Sequence, residues 1–174
     1  MKRGFVNVLI FVLLLSLEGC FLFPDHKETL PPATQTGANT FGCLVNGTVW
    51  LPKGFNGTTN LIMSYDPTYA GGTFDIATYR ILSDQDREYI YIFMSKLNKA
   101  GVYKLNDIHV GSATFDYSTQ CNYDHDSLVY RNGALDLTRF DLSAGIISGT
   151  FQFTLFKKGC DSLKVTQGRF DMKL

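Results

Sequence analysis

The sequence has little of what enzymes and nucleic-acid-binding proteins commonly display. Among 174 residues there are only three glutamates and three histidines, and the formal net charge is zero. No basic block stands out, which argues against a nucleic-acid partner, because such proteins usually carry a basic stripe. No G-x-S-x-G, no H-E-x-x-H and no glycine-rich phosphate loop is present. We therefore expect a protein that is not an enzyme, with no catalytic residue and no cofactor.

One cluster of chemically active side chains remains, at Asp124, His125 and Asp126. Two carboxylates could bind a divalent cation, and a histidine beside a carboxylate could act as an acid–base pair. However, no second histidine lies nearby, and alternate residues of an extended chain point to opposite sides. The pattern favours a solvated loop with no metal, and a hydrolase that uses this loop is the weakest function considered.

Long apolar runs are also scarce, and the one exception lies at the N-terminus. Residues 1–3 are partly basic and residues 4–17 are mostly apolar. This run is too short for a comfortable transmembrane helix, which needs about 20 residues. Its layout is that of a secretory signal peptide.

The stretch L17-E-G-C20 resembles the lipobox of bacterial lipoproteins. The resemblance implies that residues 1–19 are removed and that Cys20, the new first residue, is lipidated. Glu18 departs from the pattern, and an ordinary signal peptide or an uncleaved anchor is the alternative. Several acyl chains on one residue would anchor the chain stably in a membrane. We expect a lipid-anchored cell-envelope protein. Because no aspartate follows Cys20, the outer membrane is favoured, with the periplasmic face and the cell surface both open.

The remaining chain divides into a tether and a domain. Residues 20–40 hold three of the five prolines, together with Thr, Gln, Gly and Asn. This composition predicts a flexible tether behind the lipidated cysteine. Residues 41–174 change to short apolar-alternating runs between turn residues, which predicts one all-β domain.

The β pattern predicts eight to ten antiparallel strands, arranged as a sandwich or as an up-and-down, calycin-like barrel. Asn46-Gly47 indicates a tight hairpin, and the run at 88–94 is apolar on both faces, as in a central strand. Strands are predicted in the last third at 128–131, 134–140, 146–156 and 163–174. The last run changes phase, which a bulge near Gln167-Gly168 would reconcile.

Three cysteines follow the proposed lipidation site, and an exported compartment permits one disulfide among them. If the last three strands form a meander, the turn holding Cys160 approaches the loop that contains Cys121. The sequence therefore favours a Cys121–Cys160 disulfide and a buried free thiol at Cys43.

Aromatic residues are plentiful, with 14 Phe, nine Tyr and one Trp. Exposed rings could stack on sugars or line an apolar pocket, although strands also favour aromatics for packing alone. Separately, Asp-Ser-Leu occurs at Ser127 and at Ser162. Both tripeptides resemble the O-glycosylation acceptor of exported Bacteroidota proteins, which makes these serines possible glycosylation sites.

The opening F41-G-C-L-V-N-G-T-V-W50 and the ending I147-S-G-T-F-Q-F-T-L155, G159-C-D161 and V165-T-Q-G-R-F-D171 resemble a Bacteroidota-type family of small lipoproteins, classed as a domain of unknown function. The resemblance implies an all-β domain and an envelope location, and it brings no activity.

Three functions remain open from the sequence. The first is a non-catalytic module that binds a small apolar molecule or a glycan. The second is an accessory envelope protein that binds another protein. The third is the hydrolase described above. All three leave the ligand, the partner and the oligomeric state unspecified.

Overall fold

A computed structural model describes residues 27–117, 121–124 and 126–174. These residues form ten antiparallel strands and no helix, and none of them offers a helix long and apolar enough to cross a membrane. The strands are β1 Thr40–Val45, β2 Thr48–Trp50, β3 Leu61–Asp66, β4 Thr73–Ile81, β5 Arg87–Met94, β6 Gly101–Lys104, β7 Gly111–Tyr117, β8 Tyr130–Asp141, β9 Ile146–Phe156 and β10 Leu163–Lys173.

The strands form two sheets, which confirms the all-β prediction. The six-stranded sheet has the order β2-β1-β10-β9-β8-β6, and the four-stranded sheet has the order β3-β4-β5-β7. Both sheets have two edges, so the architecture is an open sandwich and the barrel alternative is wrong. The last three strands form the expected meander, β8-β9-β10.

Alternation along the strands produces the core between the sheets. On β5, which pairs with β4 and β7, Ile90, Ile92 and Met94 are fully buried. The tyrosines and the phenylalanine between them lie on the other face and are half-buried. Asn46 and Gly47 both have positive φ, as the predicted β1–β2 hairpin requires.

Strand β8 is longer than predicted. Residues 130–131 of the first predicted run and all of the second, 134–140, are parts of one strand that passes through Gly133, whereas residues 128–129 lie in the turn before it. A Cβ at Gly133 would lie 2.5 Å from the carbonyl oxygen of Gln152 and from the Phe153 side chain. This glycine therefore permits close approach to β9 and does not end a strand.

Strand β10 contains the predicted bulge. Its pairing with β9 shifts register between Val165 and Gly168, and Gln167 has a positive φ of 51°. The extra residue lets Val165 and Phe170 both point into the core, although they lie in opposite phases of the sequence.

Candidate functional site

A cleft opens along one side of the sandwich because β2 is only three residues long. Strand β2 pairs only with Cys43–Val45 and leaves the first half of β1 without a neighbouring strand on that side. The facing edge of the other sheet is β3. The gap between these two edges forms a cleft with a volume of about 870 Å³.

The walls of the cleft are mostly apolar. It is lined by residues 29–32, 39–41, 51–52, 59–63 and 172–173. Ten of these residues are Leu, Ile, Met, Phe or Pro, and its floor includes the buried Phe41 and Met172. A cleft of this size and lining suits the apolar body of a small ligand.

The N-terminal segment, residues 27–39, supplies one wall and is attached to the domain at both of its ends. At the first end, Glu28 accepts hydrogen bonds from Arg80 at 3.0 Å and from Lys53 at 3.1 Å. The Lys53 hydrogen bond, aided by the charge of Arg80, lowers the pKa of the Glu28 carboxyl despite some desolvation. Between the ends, Pro31 packs over Gly42, where a Cβ would come within 2.7 Å of the proline ring.

At the second end, the segment crosses the buried carboxylate of Asp171. This side chain, 1% exposed, accepts hydrogen bonds from Thr34, Thr36, Gly37 and Ala38 and from Ser148. Burial alone would raise the pKa of Asp171, but the hydrogen bonds, led by that of Ser148, hold it well below its usual range. The second half of the N-terminal segment is thereby fixed on the outer face of the six-stranded sheet.

A polar cluster lies between the sheets at one end of the sandwich. The Trp50 indole donates to Glu88 at 2.7 Å, and Arg80, the cross-strand partner of Glu88, donates to the Val49 carbonyl at 2.8 Å. Burial raises the pKa of Glu88, against the opposing hydrogen bond from Trp50 and the charge of Arg80. This arrangement holds β2 against the four-stranded sheet.

The β3 wall of the cleft is also a free strand edge. The Tyr79 N–H donates to the Asn60 carbonyl at 3.1 Å, which fixes the phase of the β3–β4 ladder. In an antiparallel pair the bonded positions alternate, so the backbone groups of Leu61, Met63 and Tyr65 point away from β4. These groups face the side where a further strand would pair.

The predicted cysteine pairing is confirmed. Cys121 and Cys160 form a disulfide, and Cys43 is a free, fully buried thiol whose pKa is raised mainly by burial. The proposed lipidation site, Cys20, lies outside the described residues.

The carboxylates of the Asp124–Asp126 loop are engaged in turn contacts. The Asp124 carboxylate accepts a hydrogen bond from the Asp126 N–H. The Asp126 carboxylate accepts one from the Leu128 N–H and forms an ion pair with Lys157. His125 lies outside the described residues. The hydrogen bond from the Leu128 N–H, and after it the hydrogen bond from Lys157, lower the pKa of Asp126. No group of three or more potential metal ligands occurs among the described side chains.

The candidate glycosylation serines differ in their surroundings. Ser127 is exposed in a turn and is followed by Leu128, which is 76% exposed. Ser162 is exposed as well, but the next residue, Leu163, begins β10 and is buried.

Sequence reasoning missed the cleft itself. The composition around Leu30 and the two following prolines predicts a tether, and no local pattern shows that these residues line a wall. Of the tyrosines that could have offered a ring to a ligand, Tyr79 and Tyr123 are buried, and Tyr69 is exposed outside the cleft. The shortness of β2, which Pro52 enforces soon after Trp50, is the one signal that points to an open edge.

A family model described as "Domain of unknown function (DUF6252)" matches residues 55–172. The matched region begins before β3 and ends within β10, so β1, β2 and the N-terminal segment lie outside it. No curated protein and no solved structure matches the chain.

Proposed function

The chain belongs to the family of the DUF6252 domain of unknown function, and we propose that it is a lipid-anchored, non-catalytic binding protein of the cell envelope. Its ligand is a small apolar molecule, or the apolar part of an amphiphile. The outer membrane is the proposed location, with attachment through acylated Cys20.

The observation that supports binding is the apolar cleft between β1 and β3. Its volume of about 870 Å³ lies within the range of small-molecule sites, about 300–1,000 Å³. The lining favours an apolar ligand over a glycan, because the floor residues Phe41 and Met172 offer no hydrogen bond. The Leu30–Pro32 wall belongs to the segment that leads back to Cys20, so anchoring would hold the cleft near the bilayer.

A dye-binding experiment tests this site. The environment-sensitive apolar dye 1-anilinonaphthalene-8-sulfonate should gain fluorescence on the wild-type protein, and Ile62→Lys and Leu30→Lys should each remove most of that gain. Ile62 is 48% exposed and lines the cleft, whereas Leu142 is 47% exposed and does not line it. Leu142→Lys is therefore the matched control, and an equal loss in all three variants would contradict the assignment.

The free edge of β3 supports a second candidate, an accessory protein that pairs with an extended segment of another polypeptide. A photo-cross-linking side chain at Ile62 or Ser64 should then give adducts with the same protein, identified by mass spectrometry, and one at Leu142 should not. Met63→Pro removes an outward N–H and should abolish both adducts. Persistence of the adducts in that variant would argue against strand pairing.

We also propose Ser127 as the better of the two candidate glycosylation sites, since Leu128 beside it is exposed. Sugar mass on the peptide containing Ser127 from the native host would support this. Bare peptides at both Ser127 and Ser162 would end the proposal.

A further inference from the structure

The described chain leaves the domain close to the proposed anchor, so the orientation of the domain at the membrane can be inferred; this inference rests on the proposed lipidation of Cys20. Lys27 follows Cys20 by seven residues. Even when fully extended, seven residues span at most about 25 Å. Because Glu28 is paired with Arg80 and Lys53, the point where the chain departs is fixed on the domain surface.

That point identifies one end of the sandwich. Arg80 is the second-to-last residue of β4, and the β4–β5 turn at residues 82–86 follows that strand. The β1–β2 turn at 46–47 lies at the same end, because Trp50 beside it bonds to Glu88 at the start of β5. We call the surface formed by residues 53–55 and 82–86 the anchor end.

Two large apolar side chains project from the anchor end. Phe55 is 77% exposed and Leu82 is 49% exposed. The segments that carry them run side by side: Lys53 and Arg80 form a parallel bridge, and a Cβ on Gly54 would lie 2.8 Å from the Cβ of Ile81. Large apolar side chains exposed on adjacent segments can mark a site of protein or membrane contact.

The six-stranded sheet presents apolar side chains at the same end. Tyr130 and Phe156 pair across β8 and β9 and are 60% and 46% exposed. Phe156 is the last residue of β9, so this pair lies beside the β9–β10 turn. Tyr123, which lies beside β7, donates to the carbonyl of Asp161 in that turn and links it to the four-stranded sheet.

Charges of both signs lie at the anchor end, where Asp84 and Asp86 stand in the β4–β5 turn. Lys53 is bound to Glu28, and Asp84 lies 3.5 Å from Arg87. A partner of strong single charge is therefore not favoured, whereas the interfacial layer of a bilayer accommodates aromatic and aliphatic side chains beside paired charges.

We propose that the anchor end rests on the lipid bilayer, with Phe55 and Leu82 entering its interfacial layer. The domain is then held in one orientation, with the cleft running away from the membrane surface beside the chain that connects it to Cys20.

Lipid quenching of introduced tryptophans tests the orientation. The full chain, purified from membranes with its native N-terminal processing, is placed in phosphatidylcholine vesicles with and without brominated acyl chains. Phe55→Trp and Leu82→Trp report on the anchor end. Tyr69→Trp is the control, because Tyr69 is 68% exposed beyond the far end of β4, a nine-residue strand of about 30 Å. The wild-type protein corrects for Trp50.

The expected result is flotation of all variants with the vesicles, with the emission added by Phe55→Trp or Leu82→Trp falling at least about twofold in brominated lipid and that of Tyr69→Trp unchanged. Flotation without preferential quenching at Phe55 and Leu82 would overturn the orientation while leaving the anchor intact. Failure of the natively processed protein to float would overturn the anchor and the orientation together.

Discussion

Asp171 is the residue on which the path of the N-terminal segment depends. A single carboxylate satisfies donors from four residues of that segment and one from Ser148, and those four residues lie 133–137 positions away in sequence. No local pattern can reveal such a contact. The cysteine pairing was accessible to sequence reasoning, since it follows from the order of three hairpin-connected strands.

Asp171→Asn should lower the free energy of unfolding by about 2–4 kcal/mol at pH 7, because an amide nitrogen would face donors and the charge-assisted bonds would be lost. Urea denaturation followed by circular dichroism measures this. Asp161→Asn, at an exposed carboxyl, is the control and should change stability by less than about 0.5 kcal/mol.

Asp171→Asn should also make the free energy of unfolding depend less steeply on pH in the acid range. The pKa of Asp171 is lower in the folded state, so its contribution is complete above the ordinary value of about 4 and declines as the pH falls toward the folded-state pKa. An unchanged slope below pH 4 in Asp171→Asn would contradict the assigned cause.

Glu88 should behave with the opposite sign. Burial raises its pKa in the folded state, so ionisation opposes folding as the pH rises above about 4.3. Glu88→Gln keeps an acceptor for the Trp50 indole and should raise the free energy of unfolding at pH 8, by up to about 1 kcal/mol, while leaving it unchanged at pH 3.5. Glu28→Gln is the counterpart, since the pKa of Glu28 is lowered, and it should not stabilise the protein at pH 8.

At the scale of elements, alternation and turn residues determined most of the fold. The hairpin at Asn46-Gly47 and the bulge in β10 follow from local chemistry, and the meander follows from short connections. Sequence reasoning divided β8 at Gly133 because a glycine that permits close strand approach and a glycine that ends a strand look alike in sequence. Sandwich and barrel could not be separated either, because edge pairing depends on contacts between distant strands.

The Cys121–Cys160 disulfide should stabilise the loops at the anchor end of the domain. Its partners are 39 residues apart, for which the chain-entropy relation gives about 4 kcal/mol. In a Cys43→Ala background, Cys121→Ser with Cys160→Ser should lower the free energy of unfolding by about that amount in urea denaturation. A loss below about 1 kcal/mol would show that the crosslink constrains little of the unfolded chain.

Gly168 should be intolerant of any side chain, because the bulge brings the backbone against a core ring. A Cβ there would lie 2.4 Å from the Phe151 ring. Gly168→Ala should therefore cost at least about 2 kcal/mol, measured by urea denaturation. Ala134→Gly in the neighbouring sheet region provides a comparison without a clash, and an equal effect of both changes would contradict this account of the bulge.

At the scale of the whole molecule, the proposed anchor, the fixed N-terminal segment and the cleft form one arrangement. The segment that runs from the proposed lipidation site supplies a wall of the cleft, and Glu28 and Asp171 hold that wall in place. The sequence predicts the lipid anchor at Cys20 and the β domain as two separate features. It could not connect them, because residues 27–39 are bound to the domain by tertiary contacts that their composition does not show.

The most direct test of the proposal that the protein is lipid-anchored and binds a ligand is intact mass spectrometry of the protein isolated from its native host, under native and then denaturing conditions. The account predicts a denatured chain that begins at an acylated Cys20 and lacks two hydrogens for the disulfide. It also predicts a small apolar molecule that is present only in the native spectrum and is lost in Ile62→Lys. A chain without acylation, or an acylated protein that carries no ligand in any native spectrum, would contradict the central claim.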